Sequence, residues 1–170
     1  FGYTRTLYDL IRDFGAIVLV EGAVDALILQ ENLIPAVALL GLGSNNPESI
    51  ELLTKFTKKI ILFLDGDEAG FERIVKMAKG ALFEVINRTP TIEIGVAFPP
   101  YGKDPDEYVT ENRSACYETL QHSESLEEYV LKEIVDRVKK EDSFPQKRII
   151  LFKKYSDVLR SYPRSTRKHY

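Results

Sequence analysis

Acidic residues follow three of the apolar segments of this sequence, and they are the residues best suited to chemistry. They are Glu21, Asp65, Asp67, Asp104 and Asp106, with Asp25 four residues after Glu21. Two carboxylates about 4 Å apart repel by about 4 kcal/mol at an effective dielectric of 20, so such a group takes up protons or binds a divalent cation. Oxygen ligands favour Mg²⁺ or Mn²⁺, and Mg²⁺ held by a few carboxylates usually serves a phosphate substrate. The residues alone therefore predict metal-dependent phosphoryl or nucleotidyl transfer.

Each of these acids also has an ordinary structural interpretation. The Asp-Gly-Asp sequence at 65–67 can be a turn after a strand, because Asp and Gly both favour turns. Asp25 can stabilise a helix N-terminus through the helix dipole. Asp104 or Asp106 can cap a short helix that starts near Pro105. The coincidence of acids at three strand ends favours the functional interpretation.

Other candidate ligands carry weaker signals. Lys103, between Gly102 and Asp104, is a candidate for binding nucleotide phosphates, although it can equally be a surface lysine. Gly41 and Gly43 suggest a phosphate-binding loop, but the Lys-Ser/Thr of a P-loop is absent. We keep Lys103 and Gly41 as nucleotide-binding candidates.

The small numbers of cysteines and histidines exclude or disfavour several kinds of site. Cys116 is the single cysteine, so an internal disulfide and a cysteine zinc site are excluded. His122 and His169 are the two histidines, which makes a histidine-rich metal site or a Ser-His-Asp triad poorly supplied. Any metal would be a hard cation held by carboxylates.

The net charge of −3 conceals a strong asymmetry along the chain. Residues 1–142 contain 15 Lys+Arg against 25 Asp+Glu, whereas residues 143–170 contain 8 against 1. An acidic body is not typical of a self-sufficient nucleic-acid binder. The basic tail predicts at most weak, salt-dependent binding of single strands, through Lys147, Arg148, Lys153 and Lys154. A solvated helical surface is the alternative for this tail.

Short apolar strands alternate with amphipathic helices through the first two-thirds of the chain. Strands are predicted at 16–20, 36–40, 59–64 and 91–98, and helices at 4–14, 23–31, 47–56 and 69–87. This alternation predicts an open, mostly parallel α/β sheet of about four strands flanked by helices, with ligands outside the carboxyl ends of the strands. The polar alternation of 91–98 indicates an edge strand. Beyond Pro105 no strand is predicted, and helices are expected at 123–140 and 143–163.

We therefore predict an α/β domain over residues 1–112 and a C-terminal helical subdomain over 113–170. The composition, 44% hydrophobic and 29% charged, excludes general disorder. No apolar run approaches the roughly 18 residues of a membrane span, and no signal peptide is visible, so we expect a cytoplasmic protein. Because the chain begins at Phe1 rather than Met, we expect it to be a fragment of a longer protein.

Three motifs occur in order and together resemble the Toprim domain that topoisomerases and primases share. They are V-L-V-E-G-A-V-D at 18–25, I-L-F-L-D-G-D-E-A-G at 61–70 and Y-G-K-D-P-D-E-Y at 101–108. The third looks most like bacterial-type (DnaG-class) DNA primase, and the segment T-R-T-L-Y-D-L at 4–10 is similar to the primase segment before Toprim. The resemblance therefore implies a Toprim (Rossmann-like) fold, followed by the helical subdomain that closes the primase core.

The resemblance also implies roles for matching residues. Asp65 and Asp67 match the Asp-x-Asp pair that holds Mg²⁺ or Mn²⁺, and Glu21 matches a glutamate that acts as general acid/base or metal ligand. Asp25, Asp104 and Asp106 match acids around the same metals and the incoming nucleotide. The implied enzyme is a nucleotidyltransferase, a DNA-directed RNA polymerase that makes short RNA primers for replication. Its partners would be a single-stranded DNA template, ribonucleoside triphosphates and, through parts outside this chain, the replicative helicase.

The sequence departs from the family in ways that bear on substrate contacts. Ala23 replaces an aromatic residue, the loop 41–46 lacks the usual Gly-Thr start, and the helix after Asp67 lacks the common Ala-rich pattern. The family's zinc-binding domain and basic N-terminal part are absent, so we expect the isolated fragment to bind metal without synthesising primer.

Other functions remain open. One is a Toprim module of a phage or plasmid primase–helicase, and another is a non-catalytic Toprim-like interaction module. A topoisomerase is less expected because no nucleophilic-tyrosine domain is recognisable, and a Toprim nuclease is disfavoured by the Gly-Lys-Asp-Pro-Asp sequence.

Overall fold

A computed structural model describes residues 5–39, 46–65 and 67–140, together with the single residues 149 and 153. Its strands are β1 (Ile17–Val20), β2 (Ala36–Ala38), β3 (Lys59–Phe63), β4 (Glu93–Ala97) and β5 (Glu124–Ser125). Its helices are α1 (Arg5–Phe14), α2 (Ala23–Glu31), α3 (Pro47–Leu53), α4 (Glu68–Lys79), α5 (Ala81–Arg88), α6 (Pro105–Glu111), α7 (Arg113–Gln121) and α8 (Leu126–Lys140). The alternation of strand and helix predicted from the sequence is confirmed.

The strands form one sheet in the order β2-β1-β3-β4-β5, with the first four parallel and β5 antiparallel to β4. The chain runs from β1 outward to β2 and then returns to place β3 on the other side of β1. This reversal is the topological switch point at which open α/β sheets bind ligands. In the β1–β3 register Leu19 lies opposite Leu62, so the segments that follow the two strands leave the sheet side by side.

Apolar side chains on both faces of the sheet explain why its strands read as continuous hydrophobic runs. Successive residues of a strand point to opposite faces, so each parallel strand must supply two apolar surfaces. One face packs Leu19 and Leu62 against α4 and α5, and the other packs Val18 and Phe63 against α2 and α7. The two cores hold the carboxyl edge of the sheet in a fixed shape.

Two predictions about β4 and the segment after it were wrong. The strand predicted at an edge has β5 paired beside it, Val96 lying opposite Glu124. No strand was predicted beyond Pro105 because β5 has two residues, both polar, and no apolar period marks so short a strand.

The prediction of one helix over 69–87 was also wrong, because this segment forms two helices. They meet at Gly80, which ends α4 and caps α5. Glycine carries a helix-propensity cost of about 1 kcal/mol relative to alanine, which makes it a favourable place for the break.

The segment after residue 112 contributes to both cores. Cys116 and Leu120 of α7 are buried on one side of the sheet, and Leu126 and Val130 of α8 on the other. The boundary at 112 and the helical subdomain over 113–170 stay predictions, and the helix predicted at 143–163 lies outside the described residues except for 149 and 153. Among the helices that the structure describes, none is both long and apolar enough to span a bilayer.

Candidate active site

The corner between β1 and α2 positions Glu21 and Asp25. The amide of Gly22 donates a hydrogen bond to Oδ2 of Asp25 at 3.1 Å, which closes the first turn of α2. A Cβ at Gly22 would lie 2.6 Å from that oxygen, so the glycine permits the close approach of the aspartate. Asp25 therefore has the structural role at a helix N-terminus that the sequence left open. It also lies beside the ends of the strands.

The corner between β3 and α4 positions Asp65 and Asp67. Asp67 is the N-cap of α4, and its Oδ1 accepts a hydrogen bond from the Gly70 amide at 2.7 Å. The Asp67 amide in turn donates to the Asp65 carbonyl oxygen at 2.9 Å. A Cβ at Gly70 would lie 2.2 Å from that same carbonyl oxygen. The Asp-x-Asp-x-x-Gly spacing is thus required by the backbone of this corner.

The loop between β4 and α6 brings a third pair of acids. Asp104 is the N-cap of α6, but its side chain makes no capping hydrogen bond. Asp106 lies in the first turn and accepts from the Glu107 amide at 2.8 Å. Lys103, the predicted nucleotide ligand, is ion-paired with Glu111 of α6. The charges at the start of this helix are therefore mostly negative.

The acids from these three corners lie within each other's electrostatic field. Burial raises the pKa of Asp65, and the negative charges of Asp104, Asp67 and Asp106 raise it further. Burial likewise raises the pKa of Asp25, against the hydrogen bond from Gly22, and the charges of Asp106 and Asp65 add to the increase. The structure thus brings together five of the predicted acids. Within the described residues, no Lys or Arg is ion-paired with any of the five.

Glu21 differs from the other acids because it has a cationic partner. Its Oε1 is ion-paired with the guanidinium of Arg73, which α4 presents about one turn after Gly70. Sequence reasoning did not identify Arg73 as part of the site. The one available signal was the departure of this helix from the Ala-rich pattern of the family.

The donor set suits a hard divalent cation, because its ligands are carboxylate oxygens and burial with mutual repulsion disfavours their ionised state. The described side chains include no group of three or more His, Cys, Asp or Glu residues already gathered around one point as metal ligands. The described residues therefore supply ligands of the type that a divalent cation prefers, but they do not already surround one point.

The remaining predicted residues lie elsewhere. Gly41, Lys147, Arg148 and Lys154 are outside the described residues, and Lys153 is exposed. Their roles in binding nucleotide or nucleic acid stay predictions.

Comparison with known proteins agrees with this fold. The family model described as Toprim-like matches residues 18–109, a range that contains all three acidic corners. The chain belongs to the Toprim-like family. Within it, the chain is similar to the DnaG-type DNA primases, as the motifs predicted.

Two curated relatives and one solved structure show this similarity. The DNA primase of Thermotoga maritima is 35% identical over 137 residues, which cover 75% of this chain and 22% of the relative. The DNA primase of Aquifex aeolicus is 35% identical over 104 residues, covering 61% and 20%. A DnaG primase catalytic domain bound to single-stranded DNA superposes with a TM-score of 0.72 at 25% identity, covering 93% of this chain and 51% of that one. The chain thus spans about a fifth of the length of its curated relatives.

Proposed function

We propose that this chain is the Toprim catalytic part of a bacterial-type DNA primase. The reaction is divalent-metal-dependent nucleotidyl transfer that joins ribonucleotides into a short RNA primer, with release of pyrophosphate. The observation that carries this proposal is the gathering of acids from three strand ends, where burial and repulsion raise the pKa of Asp65. The similarity to DNA primases supports a role for those acids in nucleotidyl transfer rather than in another Toprim reaction.

Asp65 and Asp67 are proposed as the principal ligands of Mg²⁺ or Mn²⁺. Asp67 uses Oδ1 to cap α4, so its other oxygen remains for a cation without loss of the helix cap. The bound metal would stabilise the negative charge that develops on the phosphoryl group and the reacting oxygens. Asp25, Asp104 and Asp106 surround this pair, and Asp25 is oriented by the Gly22 amide. Glu21 acts as a further ligand or as the general acid/base.

The proposed substrates are a single-stranded DNA template and ribonucleoside triphosphates. The solved DnaG catalytic domain is described as bound to single-stranded DNA, which supports the template assignment. Lys103 and Gly41 are proposed to contact the nucleotide, and Lys147, Arg148, Lys153 and Lys154 the nucleic acid. The replicative helicase would be contacted through parts outside this chain, in the cytoplasm.

A non-catalytic Toprim-like module is the second candidate. The observation that favours it is the ion pair between Glu21 and Arg73, together with the lack of a closed metal cluster among the described side chains. This alternative predicts no divalent-metal affinity beyond nonspecific counterion binding.

A calorimetric Mn²⁺ titration separates the two candidates. We compare this chain with Asp65→Asn/Asp67→Asn, because an asparagine in place of Asp67 can still accept the helix-capping hydrogen bond. The matched control is Asp9→Asn/Asp13→Asn, which removes two exposed carboxylates that pair with Arg12 on α1. Primase function predicts saturable binding in the parent and the control, and none in the site variant.

Identical titrations for all three proteins, both with and without a nucleoside triphosphate, would contradict the catalytic proposal. Binding that appears only with the nucleotide and is lost in the site variant would instead support a site completed by substrate phosphates.

A further inference from the structure

Arg73 is a cation of this site that no motif predicted. It lies on α4, the helix that Asp67 caps, and its guanidinium is ion-paired with Glu21 at the end of β1. The two side chains come from different elements and meet at the switch point of the sheet. Both are partly accessible, at 35% exposed for Arg73 and 26% for Glu21.

The neighbouring acids show why this pair matters. Asp25, Asp65, Asp67, Asp104 and Asp106 have no such partner within the described residues. Among the described residues, Glu21 is thus the one acid of the site with an ion-pair partner, and that partner is the guanidinium of Arg73.

We propose that Arg73 is an internal counter-ion of Glu21 that a divalent cation must displace, so that Arg73 sets the metal affinity of the site. The proposal rests on the proposed function in one respect, that Glu21 belongs to the metal site. Arg73 is a positioning residue here, because it acts through the glutamate and not on the reacting atoms.

The physical basis is competition for one carboxylate. A cation that uses Glu21 must break the ion pair, and it also approaches a fixed positive charge at short range. Partly exposed ion pairs contribute up to about 1 kcal/mol, which is small enough to be exchanged and large enough to alter affinity. Removing the guanidinium is therefore expected to tighten Mn²⁺ binding by about threefold to fivefold.

The test is calorimetric Mn²⁺ titration of this chain with Arg73→Gln and with Arg73→Lys. Arg73→Gln should bind Mn²⁺ more tightly, whereas Arg73→Lys, which keeps the positive charge, should stay near the parent. Arg88→Gln is the matched control, because it removes an equal charge from an arginine that also pairs with glutamates, Glu51 and Glu84, at the other edge of the sheet. Circular dichroism establishes that each variant is folded.

A second pair of variants, made in a Glu21→Gln background, separates two explanations of tighter binding. One is displacement of Arg73 from Glu21, and the other is general repulsion between Arg73 and the cation. In Glu21→Gln there is no anionic partner for Arg73 to occupy, so adding Arg73→Gln should give no more than about a twofold change in Mn²⁺ affinity. A gain that persists in this background would overturn the proposal, as would an Arg73→Gln affinity equal to or weaker than that of the parent.

The result also distinguishes this inference from the proposed function. If the parent binds Mn²⁺ and Asp65→Asn/Asp67→Asn does not, while Arg73→Gln matches the parent, only the counter-ion role fails. If neither the parent nor Arg73→Gln binds Mn²⁺, with or without nucleotide, both fail. Binding that appears in Arg73→Gln alone supports the counter-ion role most directly.

Discussion

The two edges of the sheet differ in how their acidic side chains are paired with cations. At the amino edge, near the starts of β3 and β4, Arg88 is ion-paired with Glu51 at 2.7 Å and with Glu84 at 2.9 Å. At the carboxyl edge, five aspartates from three corners interact electrostatically, and the described ion pairs there, Glu21 with Arg73 and Lys103 with Glu111, include none of the five. Glutamates at the amino edge are thus paired with an arginine. The aspartates at the carboxyl edge, beside the switch point of the sheet, have no ion-pair partner among the described residues.

This difference indicates which edge carries function. Exposed ion pairs such as those of Arg88 contribute little to stability, so losing them changes the free energy of unfolding only slightly. Partly buried like charges cost stability, and groups with perturbed pKa values cluster at functional sites. The carboxyl edge therefore combines an energetic cost with a chemistry that a divalent cation would relieve.

The largest expected difference between the edges concerns two glycines. Gly70→Ala at the carboxyl edge places a Cβ 2.2 Å from the Asp65 carbonyl oxygen, so α4 must shift away from the corner. We expect a loss of about 2–3 kcal/mol in the free energy of unfolding, as for overpacking in a rigid setting.

The matched variant is Gly15→Ala at the amino edge. Gly15 has φ +81° and open space around its Cβ position, so the cost is conformational and about 1 kcal/mol. Urea unfolding measures both variants, and equal losses would mean that the corner at Gly70 is not the tighter of the two.

A smaller effect is expected from removing one charge at the carboxyl edge. The pKa of Asp65 is raised in the folded protein, so its ionised form destabilises the fold above that pKa. Asp65→Asn should therefore raise the melting temperature of the metal-free protein by about 1–2 °C at pH 7.

The sign of this effect fixes its pH dependence. The penalty disappears as the pH falls through the raised pKa toward the unfolded value of 3.8, because the native carboxyl then takes up its proton. Thermal melts between pH 8 and pH 4 should show the advantage of Asp65→Asn shrinking toward acid. An advantage that is constant with pH would point to packing rather than charge.

The smallest effect is expected at the amino edge. Arg88→Gln breaks two exposed ion pairs, and we expect a loss of about 0.5 kcal/mol or less, reduced further at about 1 M salt. Urea unfolding at low and high salt measures this change. A loss above about 1 kcal/mol, greater than exposed pairs usually give, would show that the amino edge is also held together by its charges.

Much of this molecule can be predicted from local sequence. Strands covered on both faces must be apolar throughout, so 16–20 and 59–64 read as central parallel strands without reference to the rest of the chain. The corners are also locally encoded, because Gly22 and Gly70 make room for an aspartate or a carbonyl within a few residues of themselves. For these reasons the Toprim-like fold, and the acids at the three strand ends, follow from the order of the residues.

Other features depend on contacts between distant segments. β5 forms from two polar residues, Glu124 and Ser125, because β4 offers an unpaired edge and not because those residues favour a strand. The ion pair of Glu21 with Arg73 requires β1 to lie beside β3, so that the helix after β3 reaches the end of β1. Periodicity and local motifs describe neighbours along the chain, whereas a charge balance between two corners exists only once the strand order has brought those corners together.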